Sequence, residues 1–145
     1  MKKAIVVDID GVILNTSDLL KDIQKFHLQG DEMWSYFYKH CNSKLYPPIK
    51  STLQFLKDLS EYSIILSTAR NEACQEDTIQ RLTSEGLKFD LLLMRGHYDR
   101  RPSPDVKKDH LKSVIRNYQI VAFIDDDPQN CLMAKEMGIL ALQKV

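Results

Sequence analysis

The chain has 145 residues, of which 43% are hydrophobic and 28% charged, proportions typical of one folded globular domain rather than of a disordered or fibrous chain. Twenty lysine and arginine residues balance twenty aspartate and glutamate residues, which excludes a polycation that coats nucleic acid or membranes by overall charge. Three widely spaced cysteines argue against a disulfide scaffold and for a reducing compartment. No apolar run approaches the roughly 18 residues of a membrane span, so we expect a cytoplasmic protein without a membrane partner.

Short apolar runs predict the strands of a parallel sheet. Their apolarity is continuous rather than alternating, which is typical of strands that are covered on both faces. The runs are residues 4–7, 64–66, 91–94 and 121–124, with a fifth candidate at 139–142. Helical periodicity lies between them, at Ile49, Leu53 and Leu56 and at Leu111, Val114, Ile115 and Tyr118. The alternation of strand and helix predicts an α/β fold with a central, mainly parallel sheet.

A long connection at about residues 15–47 interrupts this alternation. It contains Trp34, Tyr36, Phe37 and Tyr38, and we expect it to form a small cap-like insert in a single domain that covers residues 1–145. The aromatic side chains have two interpretations, as the packing face of an extra helix or as platforms for nucleobases. Packing is the favoured one, because large aromatic residues dominate most hydrophobic cores.

Acidic residues gather directly after two of the predicted strands. Asp8 and Asp10 follow the first strand, and Asp125, Asp126 and Asp127 follow the fourth. Carboxyl ends of parallel strands line the ligand crevice of an open α/β sheet, so these carboxylates should converge. Each motif alone fits an ordinary turn equally well, but so many like charges in one place require a cation, and all-oxygen ligands favour Mg²⁺.

Two further segments carry candidate anion-binding groups. Thr68 and Arg70 follow the second strand, where a hydroxyl and a guanidinium suit a phosphoryl group; a helix N-cap at Ser67 or Thr68 is the alternative. Residues 95–116 contain seven arginine or lysine residues against three aspartates. This surplus predicts an anion site, and a solvated charged loop is the alternative.

The motifs together, in this order, resemble the haloacid dehalogenase superfamily of phosphotransferases, which implies a three-layer, Rossmann-like fold. The matching residues are Asp8 to Val12, Thr68, a lysine at the head of the helix after the third strand, Asp125 and Asp126. An aspartate at position 10 resembles the phosphatase branch rather than the dehalogenase or sugar-phosphate mutase branches. Val12 departs from the threonine that is common there, but that threonine is not catalytic.

A closer resemblance is to the phosphatase domain of phage polynucleotide kinase/phosphatases. It rests on residues 68–72 (Thr-Ala-Arg-Asn-Glu), 100–101 (Arg-Arg), 105–108 (Asp-Val-Lys-Lys) and 124–126 (Ile-Asp-Asp). No Gly-x-x-x-x-Gly-Lys-[Ser/Thr] loop is present, so the likeness does not extend to the kinase half. It implies a polynucleotide 3′-phosphatase. A 5′-nucleotidase or another small-molecule phosphatase, and a binding module without turnover, are the alternatives, and DNA, RNA and mononucleotides remain open as substrates.

The resemblance also implies roles for individual residues, with Mg²⁺ as the cofactor and no covalent cofactor. Asp8 would be the nucleophile and Asp10 the acid/base, and both would bind the metal, Asp10 through its backbone carbonyl. Asp126 would be a direct ligand and Asp125 a ligand or its neighbour. Thr68 and a lysine would hold the phosphoryl group; the family pattern points to Lys108, although helical spacing places Lys107 nearer the inward face. Substrate-binding roles fall to Gly11, Arg70, Arg100, Arg101 and Lys107.

Overall fold

Five strands pair in parallel to form one sheet in the computed structural model, which describes residues 1–145. In chain order they are β1 (Lys2–Val7), β2 (Ser63–Asn71), β3 (Leu91–Arg95), β4 (Tyr118–Asp125) and β5 (Ala141–Gln143). Across the sheet the order is β3-β2-β1-β4-β5, so β1 lies at the centre and the carboxyl ends of all five strands face the same edge. The predicted α/β class is confirmed, with a sheet that is wholly parallel.

Six α-helices connect or flank these strands. They are α1 (Ser17–Lys25), α2 (Gly30–His40), α3 (Lys50–Asp58), α4 (Gln75–Ser84), α5 (Ser103–Val114) and α6 (Pro128–Glu136), and a short 3₁₀ helix (Glu72–Cys74) precedes α4. None of the six is long and apolar enough to cross a lipid bilayer.

Two hydrophobic layers sandwich the sheet. On one face Ile5 and Val7 of β1 pack in a cluster with leucines of α3 and α4, and on the other Ala4 and Val6 pack with residues of α5 and α6. All four β1 side chains are therefore buried although they alternate between faces. This two-sided burial explains why the strand is continuously apolar in sequence.

The structure corrects three boundaries. Tyr118 begins β4 rather than continuing the preceding helix, which ends at Val114. The last strand begins at Ala141, two residues after the predicted start at residue 139. Before it, Gly138, with φ of 78°, ends α6 in a left-handed turn. Strand β2 continues to Asn71, where it still pairs with Arg95 of β3, so residues 67–70 are strand and neither Ser67 nor Thr68 caps a helix.

Residues between β1 and α3 form their own small cluster beside the sheet. Leu19 and Ile23 of α1 bury against Phe37 and Cys41 of the second helix and its end. Both ends of the segment are pinned to each other, since Asn15 N donates to Pro47 O at 2.8 Å and Ile49 N donates to Ile13 O at 2.7 Å. The packing interpretation of the aromatic residues thus holds for Phe37, whereas Trp34 remains 46% exposed.

Arg81 of α4 fixes the end of this segment to the body of the protein. The side chain is buried, and its guanidinium donates to the backbone carbonyls of Asn42 (3.1 Å), Ser43 (2.7 Å) and Tyr46 (2.7 Å). Glu85 accepts the remaining bond from Nε at 3.1 Å. One side chain therefore satisfies three carbonyls of a chain segment that has no regular secondary structure there.

We expect Arg81→Leu to lower the free energy of unfolding by about 3 kcal/mol, because it leaves buried carbonyls without donors and removes a part-buried ion pair. Urea denaturation followed by circular dichroism measures the change. Arg116→Leu is the matched control, since Arg116 is exposed and without a side-chain partner, and its effect should stay within about 0.5 kcal/mol. Equal effects of the two substitutions would contradict the anchoring role of Arg81.

Candidate active site

The central strands bring two carboxylates to one edge of the sheet. Val7 lies opposite Ile124 in the register of β1 and β4, and the next amide, Asp8 N, donates to Ile124 O at 2.9 Å. Asp8 and Asp125, the residues at the ends of these paired strands, are both buried. The convergence of the two acidic motifs is thus a direct result of parallel pairing.

Lys107 of α5 lies between these two carboxylates. Its Nζ is 2.8 Å from Asp8 Oδ1 and 2.6 Å from Asp125 Oδ2, and the residue is 1% exposed. Burial acts to lower the pKa of Lys107, but the two carboxylates act in the opposite direction and hold that pKa above its usual range. The ammonium group is therefore charged at neutral pH.

This placement corrects the choice of Lys108. The inward face of α5 carries Lys107, Leu111 and Val114, which follow each other at spacings of four and three residues and are all buried. Lys108 is one position, about 100°, around the helix and is exposed. Helical spacing thus indicates the lysine that reaches the carboxylates, Lys107. The family pattern points to the next residue, Lys108.

Three carboxylates at this edge form a group suited to a hard cation. One oxygen from each of Asp8, Asp125 and Asp126 lies within 4.8 Å of the others. Burial raises the pKa of Asp8, the Lys107 ammonium lowers it, and the Asp125 carboxylate raises it again, with a net pKa well above the usual range. A cation among the three would favour their charged forms, and oxygen donors of this kind suit Mg²⁺.

Asp125 and Asp126 differ in how many of their oxygens are already engaged. Asp125 accepts from Asp127 N at 2.9 Å, from Lys107 Nζ, and from Asn130 Nδ2 at 3.2 Å, whereas Asp126 is exposed. Asp126 therefore has the more accessible carboxylate of the two, and Asp125 holds the lysine. Asp127 has a structural role, because it caps α6 by accepting from Gln129 N at 2.8 Å.

Gly11 lies directly over this carboxylate group. Its φ is +81°, and a Cβ built at this position would overlap the Asp126 carboxylate. Its N–H donates to Leu14 O at 2.8 Å, and Ile9 N donates to Asp8 Oδ1 at 2.8 Å. The amide of Asp10 is the one in this turn that has no acceptor within the protein. Gly11 thus leaves room beside Asp126, and the backbone N–H that stays free to bind a ligand is that of Asp10.

The second acid of the first motif, Asp10, faces an arginine instead of the lysine. Arg70 Nε donates to Asp10 Oδ2 at 2.9 Å and Nη2 donates to Oδ1 at 2.8 Å, a bidentate pair. Arg70 is 2% exposed. The pair fixes the orientation of the Asp10 carboxylate, and each of its oxygens keeps a lone pair that is not directed at the guanidinium.

The remaining donors of Arg70 are also occupied. Nη1 donates to Asn42 Oδ1 at 2.6 Å and to Thr78 Oγ1 at 3.1 Å, and Nη2 donates to Cys41 O at 3.4 Å. The predicted contact of Arg70 with substrate is therefore corrected, because all five N–H groups bind protein oxygens. The sequence does not indicate that Asn42 and Thr78 bind Arg70. Their positions depend on how the segment before α3 returns to the sheet.

Thr68 and the two arginines of the basic loop have partners of their own. Thr68 is fully buried, and its Oγ1 accepts from Arg70 N at 3.1 Å, which leaves its hydroxyl proton free to donate. Arg100 pairs with Asp31 of α2 at 2.6 Å, and Arg101 pairs with two aspartates of its own loop and helix, Asp99 and Asp109. The positive surplus of residues 95–116 is thus partly neutralised within the protein.

Comparison with known proteins agrees with the geometry. The family model of the polynucleotide kinase PNKP phosphatase domain matches residues 2–144, whereas no curated protein sequence matches significantly. A chain of the Pnkp1/Rnl/Hen1 complex has a TM-score of 0.78 and 22% identity, and the match covers 99% of this chain and 46% of that chain. The protein therefore spans less than half the length of that similar chain.

Two other solved structures share the fold. A haloacid dehalogenase-like hydrolase from Streptococcus pneumoniae has a TM-score of 0.73 and 16% identity, with 98% of this chain and 84% of that chain covered. A haloacid dehalogenase family enzyme from Bacteroides thetaiotaomicron, solved with magnesium and inorganic phosphate, has a TM-score of 0.56 and 14% identity, with 100% and 95% covered. Because the family model spans nearly the whole chain, the protein belongs to the polynucleotide kinase PNKP phosphatase domain family, within the haloacid dehalogenase superfamily.

Proposed function

We propose that the protein is a Mg²⁺-dependent polynucleotide 3′-phosphatase that uses Asp8 as its nucleophile. The observation that carries this proposal is the different environment of the two acids of the first motif. Asp8 lies against the Lys107 ammonium and beside Asp126, whereas Asp10 is held by Arg70. Each carboxylate thus has its own cationic partner, but Asp8 also lies among the candidate metal ligands, whereas Asp10 is oriented apart from them for proton transfer.

In the first step a carboxylate oxygen of Asp8 attacks the phosphorus atom. The bond from phosphorus to the leaving oxygen breaks, and that oxygen takes the proton carried by Asp10. Asp10, now ionised, then removes a proton from water, whose oxygen attacks the phosphorus and releases Asp8. Each step conserves charge and protons, and Asp10 regains the proton it gave up.

Attack of a carboxylate on a phosphate requires compensation of negative charge. Lys107 supplies one positive charge beside Asp8, and the Thr68 hydroxyl and the free amide of Asp10 are the neutral donors available for phosphoryl oxygens. Bound by Asp8, Asp126 and the Asp10 carbonyl, Mg²⁺ would supply further positive charge for the phosphoryl group. Asp125 acts through Lys107 and is a positioning residue.

A polynucleotide end as substrate is supported by the family and by the surface around the site. The similar chain of 22% identity belongs to an assembly described as an RNA repair complex in a second structure. We propose that residues 15–47 act as a small cap within a single domain of residues 1–145. Basic and aromatic residues of this cap and of the loop after β3 provide groups for a strand that extends beyond its terminal phosphate.

We expect Asp8→Asn to lower kcat by more than about 10³-fold, since the amide cannot form the phosphoryl intermediate. Phosphate release from an oligonucleotide 3′-phosphate measures the loss, and EDTA should abolish the activity of the unsubstituted protein. Asp77→Asn is the matched control, because Asp77 is exposed on α4, and it should keep full activity. Turnover of a folded Asp8→Asn protein, or indifference to EDTA, would contradict the assignment.

The two neighbouring lysines provide a sharp internal comparison. We expect Lys107→Ala to reduce kcat by about 10²- to 10³-fold, the usual effect of removing one charged donor from a phosphoryl or oxyanion site. Lys108→Ala should leave kcat unchanged because Lys108 is exposed. Circular dichroism checks that each variant is folded before the two values of kcat are compared. A greater loss in Lys108→Ala would return the role to the residue that the family pattern indicates.

Substrate preference is tested with a panel of phosphomonoesters. The unsubstituted protein should show a kcat/KM for an oligonucleotide 3′-phosphate at least about tenfold above that for nucleoside 3′-monophosphates, because bases beyond the first add binding energy. An oligonucleotide of the same sequence with a 5′-phosphate is the matched control and should react more slowly. Faster hydrolysis of nucleoside 5′-monophosphates would favour a 5′-nucleotidase instead.

A further inference from the structure

We propose that two aromatic pairs at the entrance of the site, Trp34 with Tyr38 and His97 with Tyr98, form a stacking site for the bases of a single-stranded 3′ end. This inference rests on the proposed function and names the part of the substrate that lies beyond the reacting phosphate. It assigns a binding role to residues that take no part in the chemistry described above.

The first pair belongs to α2. Trp34 and Tyr38 are one turn apart, and their rings are stacked with centroids 5.9 Å apart and an interplanar angle of 21°. Phe37, which is buried, contacts the Trp34 ring edge to face at 6.3 Å. The indole is thus held in place from two sides, although nearly half of its residue surface stays exposed. A large aromatic ring with fixed orientation and a free surface is the usual platform for a base.

The second pair lies in the loop after β3. His97 and Tyr98 pack edge to face at 4.6 Å, and Tyr98 is 87% exposed. Hydrogen bonds that hold the loop include one from His97 N to Glu72 Oε1 at 3.1 Å and one from Asn71 Nδ2 to His97 O at 3.0 Å. An exposed tyrosine on a fixed loop contributes nothing to the core and offers its ring to a ligand.

Both pairs lie on elements that contact Arg70 or the residue next to it. His97 contacts Asn71 directly, as described above. The helix α2, which carries the other pair, is capped at its C-terminus by Cys41, whose carbonyl accepts from Arg70 Nη2 at 3.4 Å. Arg70, the residue before Asn71, holds Asp10. The aromatic pairs therefore lie on the two elements that border the arginine which orients the proposed acid/base, and the proposal places the strand that precedes the terminal phosphate along them.

An ion pair joins the two sides of this entrance at its outer end. Arg100 of the loop bonds Asp31 of α2, with 74% and 82% of the two side chains exposed. A pair this exposed contributes little in water, so a strand phosphate is able to replace Asp31 as the partner of Arg100. The combination of stacking rings and an exchangeable cation fits a nucleic-acid strand better than an apolar protein segment, which would leave Arg100 without a new anion.

Fluorescence provides a direct test, because Trp34 is the single tryptophan of the protein. Asp8→Asn protein, which should not consume the probe, is titrated with a ten-nucleotide oligothymidylate that carries a 3′-phosphate. We expect saturable quenching of the Trp34 emission. An otherwise identical oligonucleotide with abasic sites in its last three positions is the control and should bind at least about tenfold more weakly with little quenching. Equal quenching by both probes, or none by either, would overturn the inference.

Kinetics of substituted proteins provide a second test. For Trp34→Ala and for Tyr98→Ala, the ratio of kcat/KM on the oligonucleotide 3′-phosphate to kcat/KM on p-nitrophenyl phosphate should fall about tenfold, mainly through KM. Phe55→Ala is the matched control, since Phe55 of α3 is exposed to the same 46% as Trp34, and its ratio should not change. An unchanged ratio in both aromatic variants would overturn the stacking site while the 3′-phosphatase assignment stands.

Failure of the proposed function gives a different result. If the unsubstituted protein hydrolyses p-nitrophenyl phosphate but no oligonucleotide, the 3′-phosphatase assignment is wrong, and the fluorescence titration, which needs no turnover, still decides whether Trp34 binds bases.

Discussion

The structure depends above all on the ammonium group of Lys107, which is buried between Asp8 and Asp125. Removal of these charges from water is costly, and the arrangement is tolerated only because each charge faces an opposite one at hydrogen-bond distance. The contact joins α5 to the ends of the two central strands, β1 and β4. When all three carboxylates are ionised, they and the one ammonium leave a net charge of about two negative units, which matches one divalent cation.

A second ion pair, made by the buried Arg70, gives the two acids of the first motif different counter-charges. Arg70 holds Asp10 from the side of β2, whereas Lys107 holds Asp8 from the side of α5. The two acids are only two residues apart in the chain, yet different elements supply their counter-charges. The local charge around each carboxylate is therefore set independently, as the proposed division between nucleophile and acid/base requires.

Much of the fold was predictable because its cause is local. The four continuous apolar runs form the strands β1 to β4. Because β1 and β4 pair in parallel, Asp8 lies close to Asp125, and the acidic group follows from the strand order. The lysine register was predictable from the spacing of Lys107, Leu111 and Val114, which places Lys107 rather than Lys108 on the inward face of α5. The partners of Arg70 were not predictable, since they depend on long-range packing of the segment before α3 rather than on any spacing.

That segment is part of the site and not an independent lid. Its last residues bind the two buried arginines of the body: Asn42 accepts from Arg70, and the carbonyls of Ser43 and Tyr46 accept from Arg81. Since the same guanidinium of Arg70 also holds Asp10, any shift of residues 42–46 alters the support of that carboxylate. The end of the segment must therefore stay fixed for Asp10 to keep its orientation, whereas the pair of Asp31 and Arg100, at the start of α2, is solvent-exposed and takes no part in that support.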